Sequence, residues 1–205
     1  MSLTRFCLDV VDYYNSGVNF MGTMLNKAIT FATKAHKDQM RKGSECPYIL
    51  HPLEAAAIVA TMTFDDEILA AAVLHDVVED TETTISEIRE FFGETVAGYV
   101  ASESENKREE LPADVTWKIR KQETLDHLKN VPIEIKMITL GDKLSNIRSM
   151  YRDYNTLGEK LWERFNQKDK SEHYWYYKGI ADCLSELKDY NAYKEYCELV
   201  EKTFV

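Results

Sequence analysis

Apolar positions repeat at helical spacing along most of the chain, and no convincing stretch alternates in the two-residue rhythm of a half-buried strand. From Leu25 to about Met40, Ala28, Phe31, Ala32 and Ala35 share one helical face. A polar loop with Gly43 and Pro47 as breakers covers Arg41–Pro47. A second helix is expected to open at Pro52, a residue suited to a first turn, and carries Ala55, Ala56, Ile58 and Val59. Asp65 or Asp66 caps a third, which runs through Ile68, Leu69, Ala72, Val73 and Leu74 into His75-Asp76-Val77-Val78-Glu79-Asp80. Thr83 or Thr84 caps a fourth, with Glu87 completing a capping box and Gly93 ending it. A short helix over 94–103 and a charged, mobile loop over 104–115 follow. Helices over 116–129, 132–152, 157–167, 170–189 and 191–202 complete a compact all-α bundle without a sheet. Residues 1–20 read as an N-terminal extension.

The chemistry stands out where an apolar segment runs straight into a polar cluster. Residues four apart on a helix share a face, so His75 lies beside Glu79 and Asp76 beside Asp80. Buried carboxylates need partners. Alone, this cluster reads equally well as a solvated acidic helix end. Two other segments shift the balance. His51-Pro52 opens the preceding helix, and Asp142 lies in the helical run Ile138–Arg148, where Asp142 and Asn146, with Ser149 just beyond, share a face. Two imidazoles and two carboxylates suit a divalent Mn, Fe or Zn ion with positions open for water and substrate. Such an ion lowers the pKa of water enough for attack on phosphorus near neutral pH.

Composition bounds the partners. The 205 residues carry 35 acidic and 25 basic side chains, a net charge of −10, which argues against nucleic-acid polymers and anionic membranes. A small anionic substrate remains compatible if a local basic pocket receives it. No apolar run approaches the roughly 20 residues of a membrane span. No secretory signal is visible. Cys7, Cys46, Cys183 and Cys197 form no CxxC pair, so they read as reduced thiols of a cytoplasmic protein.

Five segments carry a resemblance. Ala35–Lys42 (AHKDQMRK), Pro47–Leu53 (PYILHPL), Ala71–Thr81 (AAVLHDVVEDT), Phe92–Ala97 (FGETVA) and Asp142–Arg148 (DKLSNIR) occur in the order and spacing of the HD hydrolase domain of RelA/SpoT-type stringent-response enzymes. In length the chain is nearest to the free-standing small alarmone hydrolases and the metazoan SpoT homologue type. The likeness covers roughly residues 24–190, so 21–205 are expected to form a single HD phosphohydrolase domain. The resemblance implies one divalent ion, Mn²⁺ first and Fe²⁺ or Zn²⁺ as alternatives, on His51, His75, Asp76 and Asp142. It implies that Glu79 and Asp80 position or activate water. It implies removal of the 3′-pyrophosphate from guanosine tetra- or pentaphosphate, with Arg41, Lys42 and Asn146 at the nucleotide. Tyr48, Lys143 and Arg148 are added as substrate-binding candidates, and Ser149 as a weaker one.

The stretch Ala101–Lys107 (ASESENK) is more acidic than the family's Val-Thr-Lys element, which bears on guanine-nucleotide specificity. Two alternatives follow: the same metal site acting on NADPH or another nucleotide, and a non-catalytic alarmone sensor. His36 reads as a partner of a ligand rather than a ligand, and His127 and His173 as surface residues. Arg120-Lys121 reads as a family match or, equally, a solvated face. The aromatic segment 161–177 reads as core. A homodimer is the assembly to test.

Overall fold

The computed structural model describes residues 24–104 and 112–205, so the extension 1–20 and most of the expected 104–115 loop lie outside the described residues. The helices are α1 (Met24–Ala35), α2 (Leu50–Val59), α3 (Asp66–Leu74), α4 (Val77–Asp80), α5 (Ile85–Glu103), α6 (Ala113–Leu128), α7 (Ile133–Leu157), α8 (Lys170–Cys183) and α9 (Asn191–Phe204). Two 3₁₀ segments, Gly158–Arg164 and Ser185–Leu187, join the last three. Among the described residues the only β-type pairing is a single antiparallel bridge, Met40 to Pro47, so the expectation of an all-α fold holds.

The caps explain most boundaries. Asp65 accepts from the Glu67 and Ile68 amides at 2.9 and 3.3 Å and starts α3. Thr84 and Glu87 form a reciprocal capping box at the start of α5. Gly93, at φ +86°, interrupts helical geometry inside α5 and kinks it, so the break was placed correctly although the two halves run on from one another.

Other boundaries moved. The first helix stops at Ala35 rather than near Met40, because Asp38 enters the left-handed region at φ +66° and the chain turns. That turn is tied from afar: His36 Nδ1 lies 2.8 Å from Gln39 Oε1, and Gln39 Nε2 donates to the Asp80 carbonyl at 2.7 Å. Helix α2 opens two residues before Pro52. α6 begins at Ala113, α7 continues to Leu157, and the expected 157–167 helix is the shorter 3₁₀ segment.

Two cores meet at α7. One gathers α1, α2, α3 and α5 around small aliphatic side chains such as Ala28, Ala32, Val59, Ala71, Val73 and Val96. The other gathers α6, α7, α8 and α9 around Trp117, Trp162, Tyr176, Tyr177, Tyr196 and Phe204. α7 gives Ile138 to the first and Leu140, Leu144 and Ile147 to the second. Helices α2 and α7 cross at backbone contact. A Cβ on Gly141 would stand 2.7 Å from the Ala55 carbonyl oxygen and 2.7 Å from Val59 Cγ2, so only glycine permits the approach. That crossing sets Asp142 beside His51.

Candidate metal centre

Three elements converge at the seam between the cores. His51 lies in the first turn of α2, His75 and Asp76 in the short break between α3 and α4, and Asp142 in the middle of α7. His51, His75 and Asp142 are buried, and each turns one donor atom to a common point, within 4.8 Å of one another. Asp76 Oδ2 lies 3.3 Å from His51 Nε2 and 3.1 Å from His75 Nε2. Asp142 Oδ1 lies 3.2 Å from His51 Nε2 and 3.7 Å from His75 Nε2. The structure thus brings together all four residues read from the sequence as ligands.

The outer hydrogen bonds fix which nitrogen faces inward. His75 Nδ1 is 2.8 Å from the Ala72 carbonyl, to which it can only donate. His51 Nδ1 is 2.8 Å from Ser145 Oγ, whose own proton goes to Glu54 Oε2 at 2.8 Å, so the serine oxygen accepts from the imidazole. Both rings therefore carry the proton on Nδ1 and present the Nε2 lone pair. Two lone pairs and two carboxylate oxygens then face each other, and His75 Nε2 is a buried atom with no hydrogen-bond partner. Acceptors crowded in this way need a cation among them, and a mixed N/O set with ring nitrogens held from behind is what a divalent ion takes. When no ion is bound, the same acceptors draw a proton to His75 in its place. Burial works to lower the His75 pKa, but the Asp76 and Asp142 carboxylates outweigh it and raise it well above the ordinary value. Burial works to raise both carboxyls. It is outweighed at Asp76 by the His75 imidazole and at Asp142 by the Lys143 ammonium, and both stay well below the usual carboxylate range. The residues fit a divalent metal, which the fold also implies.

Around this point lies a cleft of about 220 Å³ lined by Tyr48, Glu79, Asp80, Glu103, Lys143 and Tyr176 among others. Tyr48 sets its Oη 2.7 Å from both Asp76 Oδ2 and Asp80 Oδ2. Burial, then those two carboxylates, raise its pKa, so the hydroxyl keeps one proton and shares it between two acids. The expected pairing of Asp76 with Asp80 is realised: the Asp80 amide still donates to the Asp76 carbonyl at 2.9 Å across the break. Glu79 and Asp80 both reach the cleft.

A second cavity, of about 390 Å³, adjoins the first and shares Tyr48, His51 and Asn146 with it. Arg41, Lys42, Ser149, Arg152, Arg164, Phe165 and Tyr177 contribute to its walls. Arg41 donates to Asn146 Oδ1 at 3.0 Å, and Asn146 in turn donates to Asp142 Oδ1. A polar chain therefore links the basic cavity to the candidate ligands.

Not every candidate arrives there. Arg148 lines neither cavity. Its guanidinium grips Glu195 with Nε and Nη2 at 2.7 and 2.8 Å and Glu54 with Nη1 at 3.1 Å, so it ties helices together and does not fit the expected substrate clamp. Lys143 lines the cleft, but its ammonium is spent on Asp142 Oδ2 at 2.6 Å. His36 stands outside the ligand set, its ring 4.8 Å from that of Tyr48. His127 is exposed, as expected, and lies 2.7 Å from Ser102 Oγ. His173 is a correction. It is buried among Trp117, Trp162 and Phe165, with Nε2 2.9 Å from the Gln167 carbonyl.

Sequence reading missed Ser145 and Glu54, the relay behind His51, and it missed Glu103. The Glu103 carboxyl accepts from Thr139 Oγ1 at 2.7 Å on the cleft wall. Burial pushes its pKa up to about 7, against the opposing influence of Thr139 and Lys143. The acidic departure at 101–107 was the signal available for it.

A family model described as "HD domain" matches residues 28–168, and the chain belongs to the HD-domain family. Among curated relatives, the chain is 36% identical over 132 residues to guanosine-3′,5′-bis(diphosphate) 3′-pyrophosphohydrolase MESH1 of Danio rerio, which covers 63% of this chain and 70% of that protein. A crystal structure of a Listeria monocytogenes EGD-e protein aligns with a TM-score of 0.66 at 34% identity, over 75% of this chain and 98% of that one. A solved structure described as a metazoan ortholog of SpoT that hydrolyzes ppGpp aligns with a TM-score of 0.70, over 90% of this chain and 98% of that one. At 23% identity it supports the fold alone. No helix among the described residues is long and apolar enough to cross a membrane.

Proposed function

We propose that this protein is a metal-dependent phosphohydrolase that removes the 3′-pyrophosphate of guanosine tetra- or pentaphosphate. The observation that carries the reading is the junction of two cavities: a metal-ligand set with an acid pair in one, and a basic, aromatic-lined space for a nucleoside in the other. The name of the Danio rerio relative supports the same substrate.

His51, His75, Asp76 and Asp142 would hold the ion, Mn²⁺ by preference. When bound, it supplies Lewis acidity at the phosphoryl group and lowers the pKa of water. Glu79 accepts the proton of the attacking water, and Asp80, steadied by the Tyr48 hydroxyl, orients it. Arg41 and Lys42 hold the nucleotide against the wall formed by Tyr48 and Asn146. Lys143 neutralises the outer oxygen of Asp142 and so keeps that carboxylate aimed inward. The water oxygen bonds to the phosphorus on the ribose 3′-oxygen, the bond to that oxygen breaks, and the 3′-oxygen leaves as a hydroxyl with the proton that Glu79 took up. Guanosine tetraphosphate then yields GDP and pyrophosphate.

Metal-stripped protein, assayed with and without added Mn²⁺, is expected to release pyrophosphate and GDP only with the metal. Glu79→Ala is expected to abolish turnover with metal content nearly unchanged, and loss of the metal would refute the role given to Glu79. A second reading keeps the site and changes the nucleotide, with NADPH among the candidates. The Glu103 carboxyl on the cleft wall favours it, since an acid there restricts how a polyphosphate lies. No turnover of guanosine tetraphosphate by Mn²⁺-loaded protein, with turnover of another member of a nucleotide panel, would select that reading.

A further inference from the structure

Three buried side-chain polar atoms among the described residues have no hydrogen-bond partner: His36 Nε2, His75 Nε2 and Tyr176 Oη. The His75 nitrogen points into the metal-ligand set. Tyr176 belongs to no part of the chemistry described above, yet it lines the same cleft.

Tyr176 sits on α8 and is 4% exposed. Its ring is wedged edge-on against Trp117 at 6.1 Å and Tyr177 at 5.8 Å, so its direction is set by packing. Nearby tyrosines of the same aromatic region satisfy their hydroxyls. Tyr196 donates to the Tyr177 carbonyl at 2.9 Å, Tyr193 to the Ala181 carbonyl at 3.0 Å, and Tyr154 to Glu159 at 2.7 Å. A buried hydroxyl left unpaired costs about 1–3 kcal/mol. Phenylalanine would fill the same space without that cost. The hydroxyl therefore makes sense as a donor whose acceptor arrives with the ligand.

The surroundings say what kind of acceptor. Lys121 Nζ stands 5.0 Å from the Tyr176 ring centroid, and Lys143 lines the same cleft from α7. A neutral O–H donor with the Lys121 ammonium over its ring and the candidate ligands of a cation in the same cleft suits an oxygen carrying negative charge. We infer that the Tyr176 hydroxyl donates a hydrogen bond to a phosphoryl oxygen of the substrate in the metal cleft, which makes it a substrate-contacting residue of the reaction. The phosphoryl identity of the ligand rests on the function proposed above.

The test is Tyr176→Phe in the full chain, with three readouts: inorganic pyrophosphate binding to Mn²⁺-loaded protein by calorimetry, thermal melting, and turnover of guanosine tetraphosphate. Pyrophosphate affinity and kcat are expected to fall about ten- to hundredfold. The melting temperature is expected to hold or rise, since the substitution removes an unpaired buried group. Wild-type pyrophosphate affinity in the variant would overturn the inference, as would a melting temperature lowered by several degrees, which would mark a structural hydrogen bond. If wild-type protein binds pyrophosphate but leaves guanosine tetraphosphate intact, the alarmone reading falls. The affinity ratio of the two proteins then still decides the role of Tyr176.

Discussion

The two cores are built from different materials. The N-terminal one is mostly alanine, valine, leucine and isoleucine, with Phe92 its one buried ring and seven of the nine residues of α3 buried, from Ile68 to Leu74. Small side chains let backbones approach, and a ligand set drawn from three elements needs that proximity to keep its donor atoms within a few ångströms. The C-terminal core is made of large rings, stacked and edge-on around Trp162, Tyr177 and Phe204. Rings bury much area but hold helices further apart, and this side supplies walls rather than ligands. Precision resides on the aliphatic side and enclosure on the aromatic side. Tyr176 is the proposed exception, an aromatic-core residue that reaches the chemistry.

That contrast can be broken by substitution. Asp142→Ala removes a ligand from the seam. Metal content measured after dialysis is expected to be lost and turnover to fall by roughly a thousandfold or more, while near-ultraviolet circular dichroism from the aromatic core stays native. Gly141→Ala forces a methyl group against the Ala55 carbonyl and Val59. It is expected to cost about 1–3 kcal/mol in urea unfolding and to weaken metal binding without touching a ligand. Undiminished metal affinity would show that the close crossing does not set the site.

Glu103→Gln tests the cleft wall. The folded Glu103 pKa, about 7, lies above that of a free glutamate. The group's contribution to stability is thus fully present below the unfolded value and is lost as pH rises through 7. The stability advantage of Glu103→Gln in metal-free protein is expected to grow by about 2–3 kcal/mol from pH 4 to pH 8. A pH-independent difference would count against the burial of that acid.

Ser145→Ala cuts the relay behind His51 and is expected to weaken metal affinity about ten- to hundredfold, as read by competition with a chelator. The smallest effect is expected on the aromatic side. Tyr196→Phe removes the bond to the Tyr177 carbonyl and is expected to cost about 1 kcal/mol of stability with kcat unchanged. A large drop in kcat would show that the aromatic core contributes more than enclosure.

Much of the helix layout was legible from local signals. Capping chemistry at Asp65 and Thr84 and the break at Gly93 are encoded within a few residues of where they act, whereas the four candidate ligands became legible only when three separate segments were read together. What sequence reading missed depends on distant partners. The turn at Asp38 that follows α1 is tied down by a contact from Gln39 to Asp80, 41 residues away, and nothing in the helical pattern before Met40 announces it. Arg148 could have been set aside by geometry, since six residues past Asp142 places it about 120° away round the helix, whereas Asn146 lies close to the same line. Its carboxylate partners Glu54 and Glu195, however, are visible only in three dimensions. His173 is polar by type and aromatic by company, and only packing reveals the company.

The relay behind His51 reaches further than the centre it supports. From the imidazole it passes through Ser145 to Glu54, from Glu54 to Arg148, and from Arg148 to Glu195 on the last helix. Helix α9 carries none of the candidate ligands and lines neither cavity, yet it is the far anchor of the hydrogen bonds that hold the His51 ring in place. Four hydrogen-bonded side chains thus connect the outer end of the bundle to the His51 ring. Helix α9 in this sense braces the imidazole from a distance.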